Sequence, residues 1–220
     1  MTHLEEQLQR LKEQMTDMAH LVTSQIKKSL DSLVDDDVDL AREVISNEKR
    51  VNASELSIDK SCENIFALLA PFATDMRFVF ATLKINTDFE RIGDNAEGIA
   101  TFVVLEKKKF DKELLTRTEF FKMKDTVNAM LTTIAEAYAE SNTKLARSIF
   151  KQDDILDNIN RSATNVIAAY IADNPENIHQ ALNLLTIIRK LERTGDHITN
   201  IAEEIIFYLE AKILKHVKKE

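Results

Sequence analysis

Glycine and proline are scarce in this chain: three glycines and two prolines in 220 residues. Average usage would give roughly fifteen and eleven. These residues punctuate turns, so their scarcity excludes sandwiches, barrels and βαβ architectures, which turn every ten residues or so. No glycine lies outside residues 93–195, which removes the Gly-rich phosphate loops of nucleotide-binding folds. Tryptophan is absent, and Cys62 is the single cysteine. One cysteine allows no intrachain disulfide, as suits a reducing compartment, and its apolar surroundings of Ile58, Ile65 and Leu69 mark it as a buried small hydrophobe. Long apolar runs are missing too. The uncharged stretches Asn64 to Thr74 and Ser162 to Ala172 fall short of the ~18 residues of a membrane span. The start of the chain carries Glu5 and Glu6 where a secretory signal would be basic and then apolar. These features predict a cytoplasmic protein that meets membranes only peripherally, through partners.

What remains is 44% hydrophobic and 30% charged, with a net charge of −8, the balance of a folded chain that is not a general nucleic-acid binder. The only basic clusters, Lys107 to Lys109 and the Lys215 to Lys219 tail, follow apolar-periodic segments, where lysine meets the negative end of a helix dipole.

The scarce residues are ordered. Glu90-Arg91-Ile92-Gly93-Asp94 returns as Glu192-Arg193-Thr194-Gly195-Asp196, an offset of 102 residues that also pairs Leu83 with Leu185, Ile85 with Ile187, Ile99 with Ile201 and Ala100 with Ala202. Pro71 and Pro175 precede the two blocks. The chain is therefore a tandem duplication, with units at 1–109 and 110–220. The expected fold is all-α: two tandem three-helix bundles, six long antiparallel helices in all. Periodicity places these helices at about Leu4–Val34, from a cap among Asp35 to Asp39 to Ala70, Thr74–Lys108, Lys112–Ala139, Asn142–Ala172, and from Pro175 to near the end. Asn174-Pro175-Glu176 reads as a capped helix start.

On the third helix Phe78, Ala81, Ile85, Phe89, Ile92, Ala96, Ile99 and Val103 form the core stripe. Glu90, Asp94 and Glu97 cluster nearly opposite, with Glu90 and Asp94 one turn apart and mutually repulsive. Glu192 and Asp196 repeat the pair. The second helix offers Glu48, Asn52, Glu55 and Asp59; the fifth offers Asp153 or Asp154, Asp157 and Asn160. Acids on a helix's outer face are usually just solvated. Yet Glu-Arg-x-Gly-Asp is kept in both units, including a glycine that costs a helix ~1 kcal/mol relative to alanine. Convergent carboxylates suit hard or intermediate cations such as magnesium, manganese, calcium or iron, whose charge relieves the repulsion. His197, next to Asp196, offers an extra ligand, but its counterpart is Asn95, and a lone exposed histidine is usually no more than that. Glu176-Asn177-Ile178-His179 is the only Glu-x-x-His motif and is not repeated, which excludes a ferritin-like di-iron bundle. No serine sits in a glycine-flanked elbow, and no enzyme is predicted. A second apolar stripe, Met76, Val79, Phe80 and Leu83, with Ile178, Ala181, Leu182 and Leu185 in the repeat, is a surface for the other unit, a partner or a dimer mate.

At these residues the sequence resembles the PhoU family of phosphate-uptake regulators. The match is Leu83-Lys84-Ile85 leading into Glu90 to Ala96, again Leu191 to His197 leading into Asn200-Ile201-Ala202, and the Pro71 to Arg77 lead-in with Asp75-Met76-Arg77. The resemblance covers essentially the whole chain. It implies a cytoplasmic, homodimeric negative regulator of phosphate uptake and of the phosphate-starvation response. Such regulators couple the ATPase subunit of a phosphate ABC transporter to a sensor histidine kinase. Members carry Glu/Asp-x-x-x-Asp motifs, and some hold iron or zinc clusters. Glu90 with Asp94, Glu192 with Asp196, and Asp153 with Asp157 match that motif; Glu48 with Asn52 departs from it by an amide, which implies a weaker first site. The alternative expectation is a helical adapter without metal, whose acidic faces dock a basic partner.

Overall fold

The computed structural model describes residues 2–106 and 108–214. It contains α1 (His3–Asp35), α2 (Val38–Leu69), α3 (Thr74–Leu105), α4 (Lys112–Arg117), α5 (Phe120–Ala139), α6 (Thr143–Asp173) and α7 (Ile178–Glu210), with a 3-10 turn at Pro175–Asn177 before α7. No strand occurs among the described residues, and none of the helices is long and apolar enough to cross a membrane.

The helices pack as two three-helix bundles. Helix α1 packs on α2 and α3; α5, extended by α4, packs on α6 and α7. The bundles join where α3 meets α7 and α1 meets α5. The core stripe of α3 is buried as expected from Ala81 to Val103, and Cys62 is fully buried. Burial pushes the Cys62 thiol up to about 12, so it is an inert hydrophobe. Helices α1, α2, α4 and α6 start on side-chain caps, whereas α3, α5 and α7 start without one. Thr2 forms a capping box with Glu5, Asp37 accepts from Leu40 N, and Asn142 caps α6.

Four expectations are corrected. The fourth helix is not continuous: it breaks at Thr118 and Glu119, and Glu119 takes the left-handed conformation at φ 53°. Both the Thr118 backbone N–H and its hydroxyl end on the carbonyl of Leu114, and the break lets Leu114, Leu115 and Phe120 all point inward. The third helix stops at Leu105, three residues early. Neither α3 nor α7 carries a basic residue in its last turn, so Lys108 and Lys109 do not cap a dipole. Lys107 and the Lys215 to Lys219 tail lie outside the described residues. Finally, Asn174 does not cap the last helix; its amide donates to Tyr170 O, and Pro175 opens the 3-10 turn instead.

One side chain of α7 binds the linker between the bundles at two points. Gln180 of α7, 6% exposed, accepts from Asp111 N at 2.7 Å and donates to Lys109 O at 2.9 Å. Asp111 caps α4 through Glu113 N and accepts from the Tyr170 hydroxyl at 2.6 Å.

Candidate functional site: the carboxylate faces

The antiparallel contact of α3 and α7 places the two motifs. Near its middle Asn95 donates to Thr194 Oγ1 at 3.3 Å. Farther out on one side, His197 Nδ1 lies 2.8 Å from Asp88 Oδ1 and Asn200 donates to the same oxygen. Beyond these, Lys84 pairs with Glu204 on that side and Asn183 with Glu106 on the other. The duplicated blocks therefore face each other head to tail about a local two-fold.

Each motif glycine turns toward its own bundle's middle helix. A Cβ on Gly93 would stand 2.8 Å from Val51 Cγ1 and 3.4 Å from Glu48 Oε2. On Gly195 it would stand 2.6 Å from Leu156 Cδ1 and 2.8 Å from Asp153 Oδ1. Missing side chains thus let α2 and α6 approach closely enough to lay a carboxyl over the gap. This explains why a residue unfavourable to helices stands at both positions.

Glu48 and Asp153 are correspondingly buried, at 6% and 4% exposure, and do not lie on an outer face. Both Glu48 carboxylate oxygens lack a hydrogen-bond partner. Burial, then the charges of Asp94, Glu97 and Glu90, push Glu48 up to about 7. Glu90 is raised by burial, Asp94 and Glu55, against the opposing pull of Arg91 and His197. Glu55 is raised by burial, Asp59 and Asp94. The first bundle therefore gathers Glu48, Glu55, Glu90, Asp94 and Glu97 into one electrostatic cluster. Asn52 is exposed beside it. In the second bundle Glu192 and Asp157 are partly buried around Asp153, and Asp196 is exposed.

The cluster's chemistry is that of an all-oxygen donor set, and an orphaned buried carboxylate is the group a cation would satisfy. Among the described residues, however, no three Asp, Glu, His or Cys side chains already stand in an arrangement that could hold an ion. The carboxylates repel across the faces without converging.

Two features were out of reach of the repeat pattern. His197 is not a lone surface histidine: its side chain is 17% exposed and tied to Asp88. The offset of 102 sets Asp88 against Lys190, so symmetry conceals this contact. The second apolar stripe also divides. Val79 and Ala181 are buried, while Met76, Phe80, Ile178 and Leu182 remain 40–49% exposed.

The sequence matches the PhoU domain family twice, over residues 15–103 and 120–205. It is 32% identical over 210 residues to an Aquifex aeolicus phosphate-specific transport system accessory protein PhoU homolog, covering 96% of this chain and 94% of the relative. It is 29% identical over 211 residues to the Escherichia coli phosphate-specific transport system accessory protein PhoU, covering 96% and 87%. Among solved structures, Pseudomonas aeruginosa PhoU superposes with a TM-score of 0.89 at 28% identity, covering 96% of this chain and all of that one. The Streptococcus pneumoniae phosphate transport system regulatory protein PhoU gives 0.86 at 26% identity, covering 96% and 99%.

Proposed function

The chain belongs to the PhoU family, and on that premise we propose that it is a non-enzymatic accessory regulator of a phosphate-specific transport system. In this reading it restrains phosphate uptake and the starvation response when phosphate is plentiful. It does so as a cytoplasmic homodimer that couples the transporter's ATPase subunit to a sensor histidine kinase. The observation that carries the reading is the doubled PhoU match over nearly the whole chain. Deletion of the gene in the source organism tests it: phosphatase expression and phosphate uptake at high phosphate should rise, and the intact gene should restore them. Unchanged expression and uptake would overturn it.

The carboxylate faces are proposed to bind metal ions, iron, zinc, manganese or magnesium. Glu48, Glu90 and Asp94 would serve in the first bundle, with Asn52 contributing its carbonyl. Asp153, Asp157, Glu192 and Asp196 would serve in the second. The support is the orphaned Glu48 carboxylate and the repulsion around it. The ion would supply positive charge that locks α2 to α3 and α6 to α7. An acidic docking face without metal is the second reading, favoured by the lack of three converged carboxylates. Metal analysis of untagged protein decides between them. The first requires the wild type to retain more metal than the Glu90→Gln/Asp94→Asn/Glu192→Gln/Asp196→Asn variant.

A further inference from the structure

Met76, Phe80 and Lys84 lie four residues apart on α3 and share one face. Met76 and Phe80 are 41% and 49% exposed, and Phe66 of α2 packs on Phe80 with ring centroids 4.7 Å apart. Phe72, 84% exposed, continues the strip beyond the helix start. At the other end of the strip, Lys84, Glu203, Glu204, Phe207 and Ile213 line a cavity of about 210 Å³. Lys84 Nζ donates to Glu204 Oε1 at 2.9 Å and lies 5.6 Å from the Phe207 ring centre. Glu204 is 5% exposed, yet its second oxygen, Oε2, has no hydrogen-bond partner. A buried acceptor left in this state costs free energy until a donor arrives.

The local two-fold shows that this end is specialised. Ile178 and Leu182 repeat the exposed apolar positions of Met76 and Phe80. The counterparts of Lys84 and Glu204 are Thr186 and Phe102, so the repeat keeps the apolar strip without the charged pair. An apolar strip running into a cavity lined by two carboxylates and one lysine selects a partner that is apolar along one face and cationic at one point. A guanidinium suits that point because it donates in a plane and stacks on an aromatic ring. The chain's net charge of −8 opposes docking on an anionic membrane.

We propose that this strip docks an amphipathic helix of a partner protein, its apolar face covering Phe72, Met76 and Phe80 and an arginine entering the cavity to donate to Glu204. The proposal rests on the reading of the chain as a docking regulator, but direct binding tests it separately from the phosphate phenotype. The probe is a fluorescein-labelled 18-residue helix of leucine, alanine and arginine, patterned with one leucine face and titrated with the full chain at physiological salt. Saturable micromolar binding is expected, weakened at least tenfold by Phe80→Ser, which leaves the charge unchanged, and at least tenfold by Glu204→Gln. Asp39→Asn, at the opposite end of α2, should change it less than twofold. Circular dichroism checks that Glu204→Gln keeps its helix content; should it unfold, Phe80→Ser decides alone. Absence of saturable binding, or equal binding by wild type and Phe80→Ser, overturns the proposal. So does a dimer that Phe80→Ser converts to a monomer in sedimentation, or binding of phosphatidylglycerol vesicles that Phe80→Ser abolishes, since either assigns the strip to a different occupant.

Discussion

Lys190 lies across Gly98: a Cβ on that glycine would stand 2.5 Å from the lysine Nζ and 2.7 Å from Cε. The two-fold relates this contact to the one between Asn200 and Asp88. Where α3 supplies a short aspartate, α7 supplies a long lysine whose stem needs room. Gly98, the one glycine without a counterpart glycine, makes that room.

The three glycines should therefore respond differently to alanine. At Gly98 the obstacle is the end of a flexible side chain, which can swing away. Gly98→Ala should be neutral or stabilising by up to ~1 kcal/mol through helix propensity. At Gly93 and Gly195 the obstacles are Val51 and Leu156, both fully buried. Alanine there should destabilise by about 1–3 kcal/mol through overpacking. Urea unfolding of the three variants measures the contrast; equal effects at all three sites would refute it.

Glu48 predicts a pH dependence of definite sign. Its pKa is raised from 4.5 unfolded to about 7 folded, so the native state holds a proton that the unfolded chain releases. That contribution is fully present below pH 4.5 and is lost as pH rises to 7. Glu48→Gln should thus match wild type near pH 4 and exceed it at pH 8, by on the order of 1–2 kcal/mol once solvent screening is allowed for. Melting curves of both proteins across this range provide the comparison. If the face binds metal, added manganese should raise the wild-type melting temperature at pH 8, and the gain should be smaller at pH 5 and in Glu48→Gln.

Gln180 should report on the linker. Gln180→Ala leaves Asp111 N and Lys109 O without their partners. It should cost about 1–3 kcal/mol and speed proteolytic cleavage between Glu106 and Asp111. Cleavage at the wild-type rate would show that the linker is held by other contacts.

Ala73, at the start of α3, has φ 47° and ψ −102°, a conformation open mainly to glycine. Ala73→Gly should stabilise the chain by about 1 kcal/mol as the strain is relieved. The same unfolding assay tests it, and a destabilised variant would contradict the strain.

Much of this was legible in the chain. Helix boundaries followed Asp37, Pro71 and Asn142 because caps and breakers act over three or four residues. The core stripe from Ala81 to Val103 followed because burial on a helix has a fixed period. The break at Glu119 was invisible: no glycine or proline marks it, and it is driven by the simultaneous burial of Leu114, Leu115 and Phe120. Of the candidate site, the motif and its repeat were readable, but the burial of Glu48 and Asp153 was not. Each sits on a different helix from the glycine that accommodates it, and the middle helices align there three residues out of step with the motif offset.

The sequence by itself determined an all-α, duplicated chain. Scarce turn residues and a repeated block are one-dimensional facts that no packing can undo. Only the tertiary structure decided what the glycines and acids are for. A missing Cβ acquires meaning when Val51, Leu156 or Lys190 arrives to use the space. A carboxylate becomes a buried, perturbed acid only when a neighbouring helix closes water away from it. Both effects belong to pairs of residues distant in sequence, and their energies depend on separations of a few ångströms that only the folded chain sets.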